Sequence, residues 1–167
     1  LSDTHVTASG FDADGVNALA SLEWVLFDCR RLEDLDLVIV TGDIADDGSD
    51  EGCRLVRERV GKFAAERGIP HIYTTGNHDR RPAFTEALVS GHLQADGADV
   101  GRILTGCGEE VAAVSEVAGL RVVTLDSLVP GCVHGVISQA QLGALAEVLT
   151  TPALQVERGD TRQLADE

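Results

Sequence analysis

The chain has 167 residues, 44% of them hydrophobic, with 13 basic and 28 acidic side chains and a formal charge of -15. That length and apolar content suit one globular domain with a substantial core and exclude a disordered chain as the default. The acidic excess argues against nonspecific binding to nucleic acid or an anionic membrane surface, and no apolar run reaches the ~20 residues of a membrane span.

An amphipathic period over residues 16–31 predicts a first helix, and the continuous apolar run at 37–41 a buried strand. A second helix is expected over 51–67, ended by Gly68; the acidic run before it suits a solvated loop at a helix N-terminus. Residues 69–74 read as the next strand, with Pro70 at its entrance where no ladder donor is needed, and 82–89 as a third helix. Strand and helix alternating in this way imply an α/β fold, a largely parallel sheet flanked by helices. After Gly91 the glycine-rich stretch 95–108 reads as loop, and 111–117 with 120–125 as a hairpin across Ala118-Gly119, which makes the sheet mixed. Ser138 and Gln141 have capping-box spacing and open a last helix to about residue 149, ended by Pro152. The domain is therefore expected over 1–152, followed by a polar, acidic and disordered tail over 153–167. Cys29, Cys53, Cys107 and Cys132 lie too far apart for a Cys-x-x-Cys motif and are expected as reduced, buried thiols. Trp24 and the few phenylalanines are expected in the core. With no signal-peptide pattern at its start, the protein is expected in the cytoplasm.

The chemistry gathers in three segments: Asp3-Thr4-His5, Gly42-Asp43 and Gly76-Asn77-His78-Asp79. Asp43 and Asn77 each follow an apolar strand and a glycine, at the carboxyl edge where open α/β sheets bind ligands. Asp3 and His5, two residues apart on an extended segment, project to one side. Carboxylate, imidazole and amide oxygen together suit a pair of divalent cations, with Asp43 as the bridge and Asn77 on the second ion. Two cations ~4 Å apart acidify a water and hold a phosphoryl oxygen for in-line attack. His78 is then placed as an acid or charge stabiliser at the leaving group, with Asp79 orienting its ring.

These segments, with Gly42-Asp43-Ile44-Ala45-Asp46 read in full, resemble in order the Asp-x-His, Gly-Asp-x-x-Asp and Gly-Asn-His-Asp/Glu motifs of the calcineurin-like metallophosphoesterases. The resemblance covers about residues 1–149. It implies the first half of a four-layer αββα sandwich, two divalent ions (Mn, Fe, Zn or Mg) on Asp3, His5, Asp43 and Asn77, and catalysis by His78 and Asp79. Residues 125–127, Pro130-Gly131, His134-Gly135 and Gln141-Leu142 are similar to the bacterial cyclic-nucleotide phosphodiesterase branch, which implies a small phosphoester substrate. The family continues with a further histidine and a Gly-His-x-His segment, which this chain lacks, so it is expected to be the amino-terminal portion of such an enzyme.

Other residues read more plainly. Asp46 suits capping or support of a ligand rather than direct coordination. His71, inside a strand, is expected to be structural, and His92 an exposed helix-end residue. For His134 a substrate contact and a loop hydrogen bond are both open. The competing functions are a noncatalytic module that retains the fold and, lower, a nucleotide-binding α/β domain, whose phosphate loop is missing.

Overall fold

A computed structural model describes residues 1–11, 14–104, 106 and 108–152. Cys107 and the tail 153–167 lie outside the described residues.

The first helix, α1 (Ala18–Cys29), starts where Asn17 accepts a hydrogen bond from the Ala20 N–H through its side chain. Strand β1 (Val38–Thr41) leads to α2 (Asp50–Arg67), which Ser49 caps on the Gly52 N–H; Asp50 and Glu51 sit in its first turn and Gly68 closes it. Strand β2 (His71–Thr74) pairs in parallel with β1, from Val38 opposite His71 to Thr41 opposite Thr74. The chain then forms α3 (Arg81–Leu88) and turns back as β3 (His92–Leu93), antiparallel to β2. Strands β4 (Arg102–Ile103), β5 (Ala113–Val117) and β6 (Leu120–Thr124) make a second, antiparallel sheet, followed by α4 (Gln139–Thr150).

The expected α/β order with mixed pairing is therefore present, but among the described residues the strands divide into two three-stranded sheets, ordered β1-β2-β3 and β4-β5-β6. Alternation along the strands assigns their faces. Val38, Val40 and Tyr73 join Leu22, Leu26, Val56, Val60, Phe63 and Phe84 in one core, which packs the first sheet against α1, α2 and α3. Val114 and Val123 meet Ala144 and Val148 of α4 in a second core. Ser115 and Thr124 face the other way and join the two sheets through His92.

That contact corrects one expectation. His92 is not exposed at a helix end but 0% accessible, its Nδ1 2.7 Å from Ser115 Oγ and its Nε2 2.8 Å from Thr124 Oγ1. A two-residue strand after α3 is too short to show a period in sequence, so its inward side chain could not be foreseen. Trp24 is corrected in the opposite direction: it is 70% exposed and touches Phe27 edge to face, while Phe11 and Phe27 are exposed as well. On a helix the buried pair Leu22 and Leu26 fixes the inner face, and residue 24 lies on the far side of it. Phe63 and Phe84 do occupy the core. The capping box is half formed. Ser138 Oγ accepts from the Gln141 N–H, but the Gln141 amide is buried and bonds Asp126 instead of reaching back.

Cys53 is buried, and burial with nearby Asp79, Asp47 and Asp50 pushes its thiol up to about 12, as expected of an inert core cysteine. Cys29 and Cys132 are free thiols and only half-buried. His71 lies against α2, its Nδ1 2.8 Å from the Tyr73 hydroxyl. Burial holds both His71 and His92 near 4, against an ordinary value of 6.5. Folding thus keeps two imidazoles neutral that the unfolded chain would protonate. Their contribution to stability is complete above pH 6.5 and is lost as pH falls from there through 4. Urea midpoints should show about 2 kcal/mol lost per histidine between neutral pH and pH ~5. In His92→Gln the slope over that window should be correspondingly shallower.

Candidate metal centre

The first motif is placed by continuing the β1 pairing past its strand end. Residues 1–6 run parallel to 41–46: the Thr41 N–H donates to Leu1 O at 2.9 Å, Asp3 N–H to Gly42 O at 3.2 Å, His5 N–H to Asp43 O at 2.9 Å and Val6 N–H to Ile44 O at 3.1 Å. Because β1 and β2 are parallel neighbours, the turns that leave them emerge side by side, joined by the Gly42 N–H on Thr74 O at 3.2 Å. Three motifs far apart in sequence thereby share one sheet edge.

Backbone conformation at this edge is costly. Asp3, His5 and Asp43 all have positive φ, 54°, 44° and 46°, a region that residues with a Cβ seldom adopt. The surrounding hydrogen bonds must hold them there. Asp79 makes the strongest set: 3% accessible, it accepts from Ile44 N–H at 3.1 Å, Ala45 N–H at 3.0 Å and Gly76 N–H at 2.8 Å. Burial raises its pKa, the three N–H bonds oppose that, and the Asp43 charge adds to the rise. Gly76 is the other condition, since a Cβ there would sit on the Asp43 backbone nitrogen and Oδ1. Only glycine lets the two turns close.

Asp79 therefore does not orient His78, as its neighbouring position in sequence had suggested. Its oxygens are taken up beneath the turns, and the His78 ring faces Asp46, with Nδ1 3.1 Å from Asp46 O and 3.2 Å from Oδ1. Adjacent residues outside a helix point apart, so one of the pair is buried and the other half-exposed.

Two groups of donors result among the described residues, and His5 belongs to both. In the first, His5 Nε2 lies 4.0 Å from Asp3 Oδ1 and 3.8 Å from Asp43 Oδ2. In the second, His5 Nδ1 lies 2.8 Å from Asp46 Oδ1, beside His78 Nδ1. Asp46 accepts from His5 Nδ1, so Nε2, turned toward Asp3 and Asp43, is the ring nitrogen free to bind a cation. The first group thus presents two carboxylates and one imidazole nitrogen within reach of one point, a hard oxygen-and-nitrogen donor set. It fits a divalent ion. The second group is satisfied as a hydrogen-bonded triad, and the His5 and His78 rings stack edge to face with centroids 4.7 Å apart.

Asn77 is half-buried between Gly76 and His78, and the His78 N–H donates to Asp43 Oδ1 at 2.9 Å. The Gly-Asn-His-Asp turn is in this way pinned to the carboxylate expected to bridge. His134 is exposed in a loop and belongs to neither group, and His92 is held by hydroxyls. Asp46 lies between two imidazoles, its Oδ1 2.8 Å from His5 Nδ1 and 3.2 Å from His78 Nδ1. Asp126, in the 125–127 segment that resembles the cyclic-nucleotide branch but without a role read for it from sequence, is buried and contacts Thr75 and Arg81 on either side of the turn.

A family model described as calcineurin-like phosphoesterase matches residues 1–159. A probable cyclic nucleotide phosphodiesterase of Rhodococcus erythropolis is 37% identical over 154 residues, 92% of this chain and 47% of the relative. A cAMP/cGMP dual specificity phosphodiesterase of Mycobacterium tuberculosis is 36% identical over 118 residues, 71% of this chain and 33% of the relative. A 3′,5′-cyclic adenosine monophosphate phosphodiesterase, CpdA, of Pseudomonas aeruginosa is 30% identical over 151 residues, 89% of this chain and 48% of the relative. The chain thus spans about half the length, or less, of these relatives. No helix among the described residues is long and apolar enough to cross a membrane.

The closed packing of the turns is testable by adding one methyl group. Gly76→Ala should cost about 1–3 kcal/mol in urea unfolding and abolish calorimetric Mn2+ binding. Gly143→Ala, in α4 with nothing within 4 Å, should leave binding intact and raise stability by ~0.5–1 kcal/mol.

Proposed function

The chain belongs to the calcineurin-like phosphoesterase family, and on that premise we propose that it carries a divalent-metal centre for phosphodiester hydrolysis by water, with cyclic nucleotides as the substrate class. The observation that carries this reading is the convergence of Asp3 Oδ1, His5 Nε2 and Asp43 Oδ2, a hard oxygen-and-imidazole set on one sheet edge. Asp43 and Asn77 would share the second ion. Divalent ions bound there would supply Lewis-acid polarisation of the phosphoryl group and a water acidified enough to attack it.

The remaining chemistry falls to the chain itself. His78 holds Nδ1 against Asp46, so its other ring nitrogen is the one available to place a proton on, or a positive charge beside, the leaving oxygen. Asp46 steadies both His5 and His78. Beside Asp3 and His5 lies a groove of 480 Å³ walled by Val16, Ala18, Leu22 and Val25. Its apolar wall and acidic, metal-ready rim suit a flat base with a phosphate at one end. The relatives named for cyclic nucleotides support that choice.

A second reading, a noncatalytic module, is favoured by His92, a later histidine that is held by the Ser115 and Thr124 hydroxyls and not at the centre. One assay separates them. With Mn2+, hydrolysis of cyclic AMP and bis(para-nitrophenyl) phosphate should exceed that of para-nitrophenyl phosphate. His78→Asn should lower kcat about 10²–10⁴-fold while Mn2+ binding persists. Turnover without metal contradicts the proposal, and metal affinity no better than that of an ordinary acidic protein, with no turnover, establishes the module.

A further inference from the structure

Asp126 follows β6, in the second sheet, and is 0% accessible. Every group on its carboxylate is a donor. Oδ1 accepts from Thr75 Oγ1 at 2.9 Å and from the Leu128 N–H at 2.9 Å; Oδ2 accepts from Arg81 Nε at 2.7 Å and the Val111 N–H at 2.9 Å. Burial pushes its pKa up, but Arg81, the N–H groups and Thr75 outweigh burial and leave the carboxyl below its ordinary range. It is therefore ionised at neutral pH. Its backbone is fixed in turn: the Asp126 N–H donates to Gln141 Oε1 and Gln141 Nε2 donates to Asp126 O, both at 2.8 Å. Arg81 adds a bond from Nη2 to Leu128 O at 2.6 Å.

The sequence positions of two partners give this cluster its meaning. Thr75 is the residue before Gly76 and Arg81 is two residues after Asp79, so one carboxylate grips both ends of the turn that carries Asn77 and His78. From beneath, Asp79 ties the middle of that turn to residues 44 and 45. We propose that Asp126 is a positioning residue, which sets where Asn77 and His78 stand relative to Asp43 while touching neither metal nor substrate. This rests on the phosphoesterase reading for its consequence in catalysis. The bland alternative is a buried ion pair that merely fastens the second sheet and α4 to the first. Such a pair is weak as a source of stability, because removing two charges from water offsets their attraction, and it is better suited to selecting one arrangement. The contacts of Asp126 fall on the flanks of one functional turn, which mere fastening does not require.

The test compares three variants of the full chain. Asp126→Asn keeps shape but can present only one acceptor oxygen to four donors. Thr75→Val removes a single hydroxyl from the turn's leading edge and leaves Asp126 with Arg81. Arg121→Gln is the control for a general loss of stability, since Arg121 ties β6 to the carbonyls of Val148 and Pro152 at the end of α4 and does not touch the turn. Amide exchange at Gly76 and His78 and calorimetric Mn2+ affinity are measured where all three remain folded. The expected result is a loss of protection of about tenfold at Gly76 and His78 in both Asp126→Asn and Thr75→Val, with His5 within ~2-fold of wild type. The Mn2+ dissociation constant should rise about tenfold in the same two variants and not in Arg121→Gln. Protection and affinity that stay at wild-type values, or that fall only in step with global stability as in Arg121→Gln, overturn the proposal. Should the wild-type chain bind no Mn2+, the metal reading fails, and the exchange pattern alone decides whether Asp126 holds the turn.

Discussion

The Asp79 carboxylate is the interaction on which the centre depends. Its oxygens collect N–H groups from Ile44, Ala45 and Gly76, one turn from each of two parallel strands, in a place with almost no access to water. An unpaired buried carboxylate is expensive, so the bonds form together or the turns do not close. Once they close, Gly76 lies against Asp43, His78 donates to Asp43, and the first six residues dock along 41–46. Positive φ at Asp3, His5 and Asp43 is sustained by this framework and not by local preference.

Charge explains why the framework is useful. Asp3, Asp43, Asp46 and Asp79 are drawn together in a chain already carrying a formal charge of -15. Two of them are held by internal hydrogen bonds, Asp79 by backbone N–H groups and Asp46 by two imidazoles. Asp3 and Asp43 face a ring nitrogen of His5 and, among the described residues, no Lys or Arg side chain pairs with either, an arrangement suited to a cation. Strain in the backbone and repulsion among the side chains are then both features of one prepared site.

Much of this was legible because local rules and function coincide. The apolar runs before Gly42 and Gly76 located β1 and β2, and the acidic run before residue 51 and Gly68 marked the ends of α2 within a residue. The ordered motifs located the donor groups, which neither periodicity nor composition could do. Misreadings came where a partner distant in sequence decides orientation. His92 depends on hydroxyls of β5 and β6, Gln141 on the backbone of Asp126, and Asp79 on N–H groups more than 30 positions away. Trp24 failed for a different reason: size suggested the core, but the helical phase set by Leu22 and Leu26 turns it outward. Side-chain direction is a property of packing, and only its period is written locally.

The central claim is that Asp3, His5 and Asp43 form a cation site built by the closure of two turns. An anomalous difference map from crystals of the chain grown with Mn2+ tests it most directly. The account requires a peak between Asp3 Oδ1, His5 Nε2 and Asp43 Oδ2, with His5 Nδ1 still on Asp46. A map with no peak there, or with its peak among His5 Nδ1, Asp46 and His78, would contradict it.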